Sequence, residues 1–349
     1  MSGVCSALAA PLLAWYDSGH RDLPWRASPT PYHVWVSEIM LQQTRVEAVR
    51  GYYTRWMEAL PSVRALAEAE ERVYLKLWEG LGYYSRVRNL HRAAVEVCAR
   101  YGGALPADYE QLRALPGIGE YTAGAIASIA FGLPVPAVDG NVLRVAARLD
   151  GDFTPITDAK YKKAVRQRFT ALMPADRPGD FNQALMELGA TVCLPNGAPL
   201  CSGCPVQHLC LGYHHGSAAA LPIRAAKKAR RIEPRTVLLP RCDGLVGLCR
   251  RPPNGLLAGL WELPSLDGHL APDEVRDALA ARGWQVDKLL SLRPSKHIFT
   301  HVEWHMTGYY VELSQPPDGL TFVTPSVLRT AYALPSAFRA FLSVIEEEA

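Results

Sequence analysis

The sequence lacks the features of a membrane or secreted protein. No stretch of its 349 residues approaches the apolar length of a membrane span. The apolar N-terminal run MSGVCSALAAPLLAWYD has no basic segment before it, which argues against a secretory signal peptide. We therefore expect a cytoplasmic protein in a reducing compartment, with no membrane partner.

Charge is scarce as well, and internal repeats are absent. The net charge is only +3, and charged residues make up 20% of the chain against 49% hydrophobic residues. This balance predicts a folded globular protein. It permits a nucleic-acid partner without demanding one. The length predicts two or three domains.

Hydrophobic spacing changes once along the chain. Residues 1–215 read as a mostly helical domain, because apolar positions recur every three or four residues, for example through 34–49, between Gly/Pro-rich turns. Residues 216–235, rich in Ala, Lys and Arg, read as a linker. Residues 236–349 contain strand-like runs such as TVLLPRCDGLVGLC around one short helix, EVRDALAARG, which indicates a smaller α/β domain. The sequence thus predicts a multi-domain protein.

Four cysteines lie within one short segment. Their spacing is C-x7-C-x2-C-x5-C, at Cys193, Cys201, Cys204 and Cys210. Neighbouring pairs have too little chain between them for good disulfide geometry. A compact set of four thiolates is typical of a 4Fe–4S cluster, whereas zinc sites usually use two short cysteine pairs set well apart. We predict the cluster; zinc and unliganded cysteines are the alternatives.

A glycine-rich turn before a small-residue helix is the second chemical signal. In LPGIGEYTAGAIASIAFG, Gly117 and Gly119 permit positive φ angles and a close approach of the backbone to another molecule. The N–H groups of Gly117, Ile118 and Gly119 then face the space before the helix N-terminus, a geometry that binds phosphate. The alternative is an ordinary corner between two helices.

Taken together, the motifs resemble one known family. A helix–hairpin–helix, a Val-Asp-Gly-Asn-Val segment and a four-cysteine loop follow one another as in the endonuclease III superfamily of DNA glycosylases. Further segments narrow the resemblance to its adenine DNA glycosylase (MutY) branch: LPWR (23–26), SEIMLQQTRV (37–46), GLGYYSRVRNL (80–90), AVDGNVLRV (137–145) and FNQALMELGATVC (181–193). One departure is visible, because seven residues rather than six separate the first two cysteines.

The resemblance implies hydrolysis of the N-glycosidic bond of adenine mispaired with 8-oxoguanine or guanine. Such chemistry needs an acid that protonates the purine and a carboxylate that stabilises the sugar cation. Glu38 is the expected acid and Asp139 the expected carboxylate. On the residues alone, Glu38 could be a first-turn glutamate after an N-capping Ser37, and Asp139 an ordinary helix N-cap.

Tyr121 predicts which glycosylase chemistry the chain performs. It stands where relatives that cleave the strand have a lysine that forms a Schiff base, and a tyrosine cannot form that imine. We therefore expect a monofunctional enzyme that uses water. The resemblance implies that Asn141 positions this water or Asp139; its alternative is a capping residue.

The target adenine must leave the base stack. The resemblance assigns its pocket to Trp25, Arg26 and Glu187, and gives Gln43 and Tyr83 the task of filling the gap in the duplex. Plain core packing is the alternative for Trp25, and a buried aromatic beside a tight turn is the alternative for Tyr83.

The second domain resembles a Nudix (MutT-like) fold through GLLAGLWELP (255–264). Its helix lacks the paired glutamates that hold magnesium in Nudix hydrolases, so we expect base recognition without nucleotide hydrolysis. The loop Phe299-Thr300-His301 resembles the family's Phe-Ser-His loop, which implies contact with 8-oxoguanine. A strand-end turn with solvated His297 and His301 is the alternative.

Two rival functions remain open at this stage. One is a bifunctional endonuclease III-type glycosylase/lyase for oxidised pyrimidines, and the other is a non-catalytic iron–sulfur DNA-binding protein that senses redox state. We expect a monomer that binds duplex DNA containing adenine opposite 8-oxoguanine or guanine, and that associates with the nucleoid through it.

Overall fold

The computed structural model describes residues 2–224 and 229–346. Contacts divide the chain into two compact units. The first unit comprises Met1–Glu68 and Arg88–Ala226, and the second comprises Ala69–Val87 and Lys227–Ala349. Residues 225–228 of the predicted linker lie outside the described residues. The boundaries 1–215, 216–235 and 236–349 stay a prediction.

Helices occupy most of the first unit and pack around the sheet of the second. In chain order they are α1 (Ser2–Gly19), α2 (Pro24–Ala27), α3 (Pro31–Leu41), α4 (Val46–Ala59), α5 (Val63–Ala67), α6 (Glu71–Leu77), α7 (Ser85–Tyr101), α8 (Tyr109–Ala114), α9 (Glu120–Phe131), α10 (Gly140–Asp150), α11 (Ala159–Leu172), α12 (Pro178–Thr191), α13 (Leu211–His214), α14 (Pro272–Ala280), α15 (Pro325–Ala331) and α16 (Arg339–Glu346).

Local capping explains where the helices of the first unit begin. The side chains of Thr30, Asp108, Asp139 and Asp158 each accept a hydrogen bond from a backbone N–H in the first turn of the helix that follows. Such caps satisfy donors that the helix itself leaves unpaired. Four helices, α1, α10, α11 and α12, share one apolar core that includes Leu12, Phe169 and Phe181.

A mixed sheet forms the centre of the second unit. Its strands are β1 (Arg231–Cys242), β2 (Leu245–Arg250), β3 (Trp261–Glu262), β4 (Ser265–Asp267), β5 (Val286–Ile298), β6 (Val302–Leu313) and β7 (Thr321–Val323). The main order is β3-β2-β1-β6-β5, with β1 parallel to β6 and the other pairs antiparallel. Strand β4 pairs with β1, and β7 pairs with β2.

Side chains of β1 alternate between two apolar cores. Val237 and Leu239 belong to the core that contains Phe338 and Phe341, whereas Leu238 belongs to the core that contains Val275 and Leu279 of α14. Because successive side chains of a strand point to opposite faces, both faces of the sheet are covered.

Two sequence predictions about element boundaries need correction. The apolar period across residues 34–49 predicted one helix, but α3 ends at Leu41 and α4 begins at Val46. Gln43, between them, has a positive φ of 57°, which an α-helix does not tolerate. Strand β1 begins at Arg231, within the segment predicted as linker.

Within residues 2–224 and 229–346, no helix is long and apolar enough to cross a membrane.

Candidate active site and cysteine loop

A buried carboxyl and a tyrosine form the centre of the candidate active site. Glu38 lies on α3 and is 7% exposed. Tyr121, the second residue of α9, donates a hydrogen bond of 2.5 Å from its Oη to Glu38 Oε2. The same hydroxyl lies 3.2 Å from Met186 Sδ of α12. Side chains of α3, α9 and α12 therefore meet at the Tyr121 hydroxyl.

The surroundings of Glu38 favour its protonated form. Its pKa is raised to about 7, mainly by burial and also by Asp139, while the bond from Tyr121 and the charge of Arg26 act in the opposite direction. The alternative in which Ser37 caps the helix before Glu38 is wrong. Thr30 is the cap, and Ser37 Oγ donates to the Val34 carbonyl inside α3.

Asp139 is both a helix cap and a neighbour of this acid. Its Oδ1 accepts from Val142 N at 2.8 Å, which makes it the N-cap of α10. Its Oδ2 accepts from Asn141 Nδ2, also at 2.8 Å. Burial raises the pKa of Asp139, and these hydrogen bonds oppose that rise. The capping alternative therefore describes a real contact of Asp139, whose charge also acts on Glu38. Asn141 lies inside α10, and its side chain bonds to Asp139 rather than capping the helix.

Arg144 connects Asn141 to the start of the cysteine loop. It is 3% exposed, and its Nη2 donates to Asn141 Oδ1 at 2.8 Å and to the Gly189 carbonyl at 2.7 Å. Its Nε donates to the Cys193 carbonyl at 2.8 Å. Sequence reasoning missed Arg144, although it lies inside the AVDGNVLRV motif.

The predicted adenine-pocket residues Arg26 and Glu187 are brought together, with Arg21 as an unpredicted third member. Glu187 lies on α12 and is 2% exposed. Its Oε1 accepts from Arg21 N (3.1 Å) and Nε (2.7 Å), and its Oε2 accepts from Arg21 Nη2 (3.0 Å) and Arg26 Nη2 (2.8 Å). These bonds lower the pKa of Glu187 to about 2 against the effect of burial.

Aromatic rings line the neighbourhood of Arg26 and Trp25. The Arg26 guanidinium lies 5.5 Å from the ring centre of Tyr16, a cation–π distance. Trp25 is 7% exposed and meets Tyr53 edge-on at 5.5 Å between ring centres. Core packing therefore describes Trp25 in this structure, and its stacking on adenine stays a prediction.

The glycine turn joins α8 to α9 as a helix–hairpin–helix. Gly117 has a φ of 75°, and a Cβ there would lie 2.7 Å from Asn89 Cβ, so only glycine fits. Gly119 is the N-cap of α9 with a φ of −88°, so it does not use the positive φ that a glycine permits. The space where its Cβ would stand is open. Phosphate contact by residues 117–119 stays a prediction.

Two residues predicted to fill the gap in the duplex have left-handed backbone conformations. Gln43 is exposed with a φ of 57°, and Tyr83 is 45% exposed with a φ of 47°. The alternative of a buried Tyr83 is wrong. Arg86 lies 5.4 Å from the Tyr83 ring centre and donates to the carbonyl oxygens of Leu81 and Gly82, which supports this turn.

Tyr83 also contacts the predicted lesion-reading loop within the second unit. Its Oη lies 3.0 Å from Thr300 Oγ1, so either hydroxyl can donate. Thr300 and His301 are exposed at the β5–β6 turn, and Phe299 packs edge-on against Trp304 at 4.8 Å. The alternative of a strand-end turn therefore describes the backbone of the Phe299-Thr300-His301 loop correctly. His297 is half-buried rather than solvated, and burial lowers its pKa.

The four cysteines follow α12 in a loop of two short 3₁₀ turns, Cys201–Gly203 and Gln207–Leu209. All four are free thiols. The pKa of Cys204 is raised to about 11, chiefly by burial and also by the charges of Cys193, Cys210 and Cys201. Among the described residues, no three His, Cys, Asp or Glu side chains stand close enough to hold a single metal ion.

Arg148 ties this loop to α10. Its Nη1 donates to Cys193 Sγ at 3.2 Å and to the Leu194 carbonyl at 2.9 Å. Cys210 Sγ in turn donates to the Arg148 carbonyl at 3.2 Å. A guanidinium beside a thiolate set compensates negative charge, which suits an anionic iron–sulfur centre.

Family models match both units. A model of the HhH-GPD superfamily of base excision DNA repair proteins matches residues 36–174, and a NUDIX domain model matches residues 235–344. The predicted fold class, a helical glycosylase domain followed by a Nudix-like α/β domain, is confirmed by these matches.

Curated relatives cover most of the chain. An adenine DNA glycosylase of Mus musculus is 40% identical over 89% of this chain and 72% of its own length. One of Homo sapiens is 36% identical over 96% of this chain and 74% of its own length. A bacterial one, from Buchnera aphidicola subsp. Baizongia pistaciae, is 30% identical over 87% of this chain and 86% of its own length.

Solved structures resemble the helical part. A thermostable thymine-DNA glycosylase superposes with a TM-score of 0.55 and 28% identity over 60% of this chain and 97% of its own. A trapped endonuclease III–DNA covalent intermediate superposes with a TM-score of 0.51 over 60% of this chain and 94% of its own. Its identity of 23% supports the shared fold alone.

Proposed function

The chain belongs to the adenine DNA glycosylase family, and we propose that it hydrolyses the N-glycosidic bond of adenine standing opposite 8-oxoguanine or guanine in duplex DNA. The observation that carries the proposal is the buried Glu38 carboxyl, with a pKa of about 7, beside the Asp139 carboxylate. Two acids with different surroundings can supply a proton and a negative charge at the same pH.

Glu38 acts as the general acid in the proposed reaction. At neutral pH a substantial fraction of a carboxyl with a pKa of about 7 carries its proton, which it donates to the ring of the leaving adenine. As the C1′–N9 bond breaks, its electron pair leaves with the base, and the proton neutralises the charge that develops there.

Asp139 stabilises the positive charge that develops on the sugar. Its oxygens accept N–H bonds from Val142 and Asn141, which fix the carboxylate in place and oppose the rise in its pKa that burial causes. Water then bonds to C1′ and gives one proton to the Glu38 carboxylate, which completes the hydrolysis and restores the acid. Tyr121 holds the Glu38 carboxyl in place and offers no amine, so no imine with the sugar forms at this position.

The alternative of a bifunctional lyase for oxidised pyrimidines requires an amine where Tyr121 stands. The alternative of a non-catalytic redox sensor does not explain why a carboxyl is buried at Glu38 beside Asp139. Burial of a carboxyl costs free energy, and such groups are typical of catalytic sites. Neither alternative explains the site as well as adenine excision does.

The second unit is proposed to read the base opposite the adenine. Tyr83 and Thr300 present neighbouring hydroxyls at an exposed turn, and Phe299 anchors that turn on Trp304. Hydroxyl groups can hydrogen-bond to the additional polar positions of 8-oxoguanine. We also propose that the protein acts as a monomer in the cytoplasm, on nucleoid DNA.

The cysteine loop is proposed to hold a 4Fe–4S cluster through Cys193, Cys201, Cys204 and Cys210. The compact spacing of the four cysteines and the Arg148 guanidinium at Cys193 Sγ support a cluster over zinc. When bound, the cluster would cross-link the loop that follows α12. The chemistry at the sugar rests on Glu38 and Asp139.

Single-turnover cleavage tests the proposed activity. With enzyme in excess, the protein should release adenine from an adenine·8-oxoguanine duplex and leave a thymine glycol duplex intact. The abasic product should need alkali for strand cleavage, and borohydride should trap no covalent complex. Trapping of the wild-type protein through a lysine would contradict the monofunctional assignment, whereas Tyr121→Lys is expected to gain strand nicking.

Substitution of the two acids tests their roles. Glu38→Gln and Asp139→Asn should each lower the excision rate by about 100-fold or more while mismatch binding survives. Asp158→Asn is the matched control, because Asp158 caps α11 through Tyr161 N as Asp139 caps α10. Its rate should stay near wild type. Near-native rates for either acid variant would mean that the acids are misassigned.

A further inference from the structure

The Glu187 carboxylate has all of its acceptor positions occupied. It receives four N–H bonds at 2.7–3.1 Å, two on each oxygen. An ionised carboxylate offers about four lone-pair positions in total. If Glu187 contacts the flipped base, as the family resemblance implies, one of these four donors must therefore give way.

The two arginines differ in how firmly they are held. Arg26 lies on α2 with a side chain only 13% exposed, and it also donates to the Arg21 carbonyl at 2.8 Å and stacks over Tyr16. Arg21 lies in the irregular segment between α1 and α2, and its side chain is 33% exposed. In the described part of the chain, its side-chain hydrogen bonds go to Glu187 alone.

One bond of Arg21 can be exchanged without releasing the whole side chain. Arg21 Nη2 bonds to Oε2 at 3.0 Å, while its Nε and backbone N bond to Oε1. Loss of the Nη2 bond frees one acceptor on Oε2 and leaves the carboxylate anchored through Oε1. The exposed part of the guanidinium can then turn towards water.

We propose that Arg21 is a positioning residue whose Nη2 holds, in the DNA-free enzyme, the place that the exocyclic 6-amino group of adenine takes in the complex. Arg21 keeps Glu187 ionised and oriented, so that this wall of the pocket offers only acceptors. A base with an amino group at position 6 replaces one donor with another, whereas a base without a donor there leaves an acceptor unpaired.

The inference rests on the proposed adenine excision. A comparison of two target bases, each cleaved by the wild-type and the variant enzyme, tests it separately. Single-turnover rate constants are measured with enzyme in excess for two duplexes that differ only in the target base, adenine or unsubstituted purine, each opposite 8-oxoguanine. Unsubstituted purine lacks the 6-amino group. Arg21→Gln should lower adenine excision about 10–100-fold and purine excision less than about 3-fold, because only adenine uses the oriented carboxylate.

Two further variants make the result specific to Arg21. Arg21→Lys, which keeps the charge but loses the planar fork, should recover part of the adenine rate. Arg177→Gln is the matched control, because Arg177 also forms an ion pair between the α12 region and the N-terminal part of the chain, with Asp17 of α1 at 2.7 Å, but not with Glu187. It should leave the ratio of adenine to purine rates unchanged.

The outcomes separate this inference from the proposed function. Equal loss of both rates in Arg21→Gln, or the same change of ratio in Arg177→Gln, would overturn the role of Arg21 while adenine excision by the wild type stands. Absence of adenine excision by the wild-type protein would overturn the proposed function itself. Rate constants with enzyme in excess do not depend on the fraction of folded variant, so partial misfolding does not imitate either result.

Discussion

Tyr121 Oη and Glu38 Oε2 are 2.5 Å apart, which joins the first turn of α9 to the buried acid on α3. Tyr121 follows the Gly117–Gly119 turn by two residues, so the hairpin proposed to hold phosphate also positions the partner of the acid. Burial keeps the pKa of Tyr121 well above its ordinary value, and its hydroxyl therefore remains a donor. The hydrogen bond stabilises the ionised form of Glu38 and so limits how far burial raises its pKa.

Replacement of Tyr121 should therefore move the pH profile of excision. Glu38 is active as an acid, so the rate should fall as pH rises through its pKa of about 7. Tyr121→Phe removes the bond that lowers this pKa, and the fall should shift to higher pH. Single-turnover rates between pH 5.5 and about 9 measure the shift. A profile that stays at the wild-type position would show that the bond does not tune the acid.

Glu38 should also make the stability of the folded protein depend on pH. Its pKa rises from 4.5 to about 7 on folding, so its contribution is fully present below pH 4.5 and is lost as pH rises through 7. Glu38→Gln lacks this titration. The variant should gain stability relative to the wild type by about 2–3 kcal/mol between pH 5 and pH 8.

Denaturant unfolding followed by circular dichroism at several pH values measures this difference. Glu68→Gln, a change at an exposed side chain, is the control and should show no such trend. A constant difference between Glu38→Gln and the wild type across this range would contradict the raised pKa.

The contact between Tyr83 and Thr300 should contribute to recognition of the opposite base. Thr300→Val removes the hydroxyl and keeps the shape, so adenine excision opposite 8-oxoguanine should fall about 5–10-fold, and excision opposite guanine should fall less. Tyr83→Phe should have a similar effect, and the double variant should lose less than the sum of the two. Thr330→Val, on the exposed side of α15, is the control.

An equal loss opposite both bases would assign the Thr300 loop to general DNA affinity. Strictly additive losses in the double variant would mean that the 3.0 Å contact between the two hydroxyls is not used on DNA.

Helix positions were largely predictable from the sequence because apolar residues recur every three or four positions between Gly/Pro-rich turns. The break between α3 and α4 was not, since Gln43 adopts its positive φ within a continuous apolar period. Sequence spacing likewise could not pair Glu38 with Asp139. The two residues are about a hundred positions apart in the sequence. Before the structure, only the family resemblance indicated that they belong to one active site.

Arg21 and Arg144 show what sequence reasoning could not find. An arginine in a charged segment is usually a solvated surface residue. Here Arg21 donates to the Glu187 carboxylate of α12, and Arg144 donates to the carbonyls of Gly189 and Cys193. In each of these hydrogen bonds the two residues are more than 40 positions apart in the sequence. These partners become visible only when α12 is placed beside α1 and α10.

Arg144 and Arg148 should affect the protein in different ways, although they lie one helical turn apart on α10. Arg144 holds Asn141, the donor to Asp139, so Arg144→Met should lower excision by about 10–100-fold and leave most bound iron in place. Arg148 bonds to Cys193 Sγ, so Arg148→Met should chiefly lower the iron content of the purified protein. Colorimetric iron assays and single-turnover rates, measured on the same preparations, separate the two effects. Loss of iron in Arg144→Met equal to that in Arg148→Met would mean that both arginines serve the loop, and that Arg144 acts on Asp139 only through the stability of the cysteine loop.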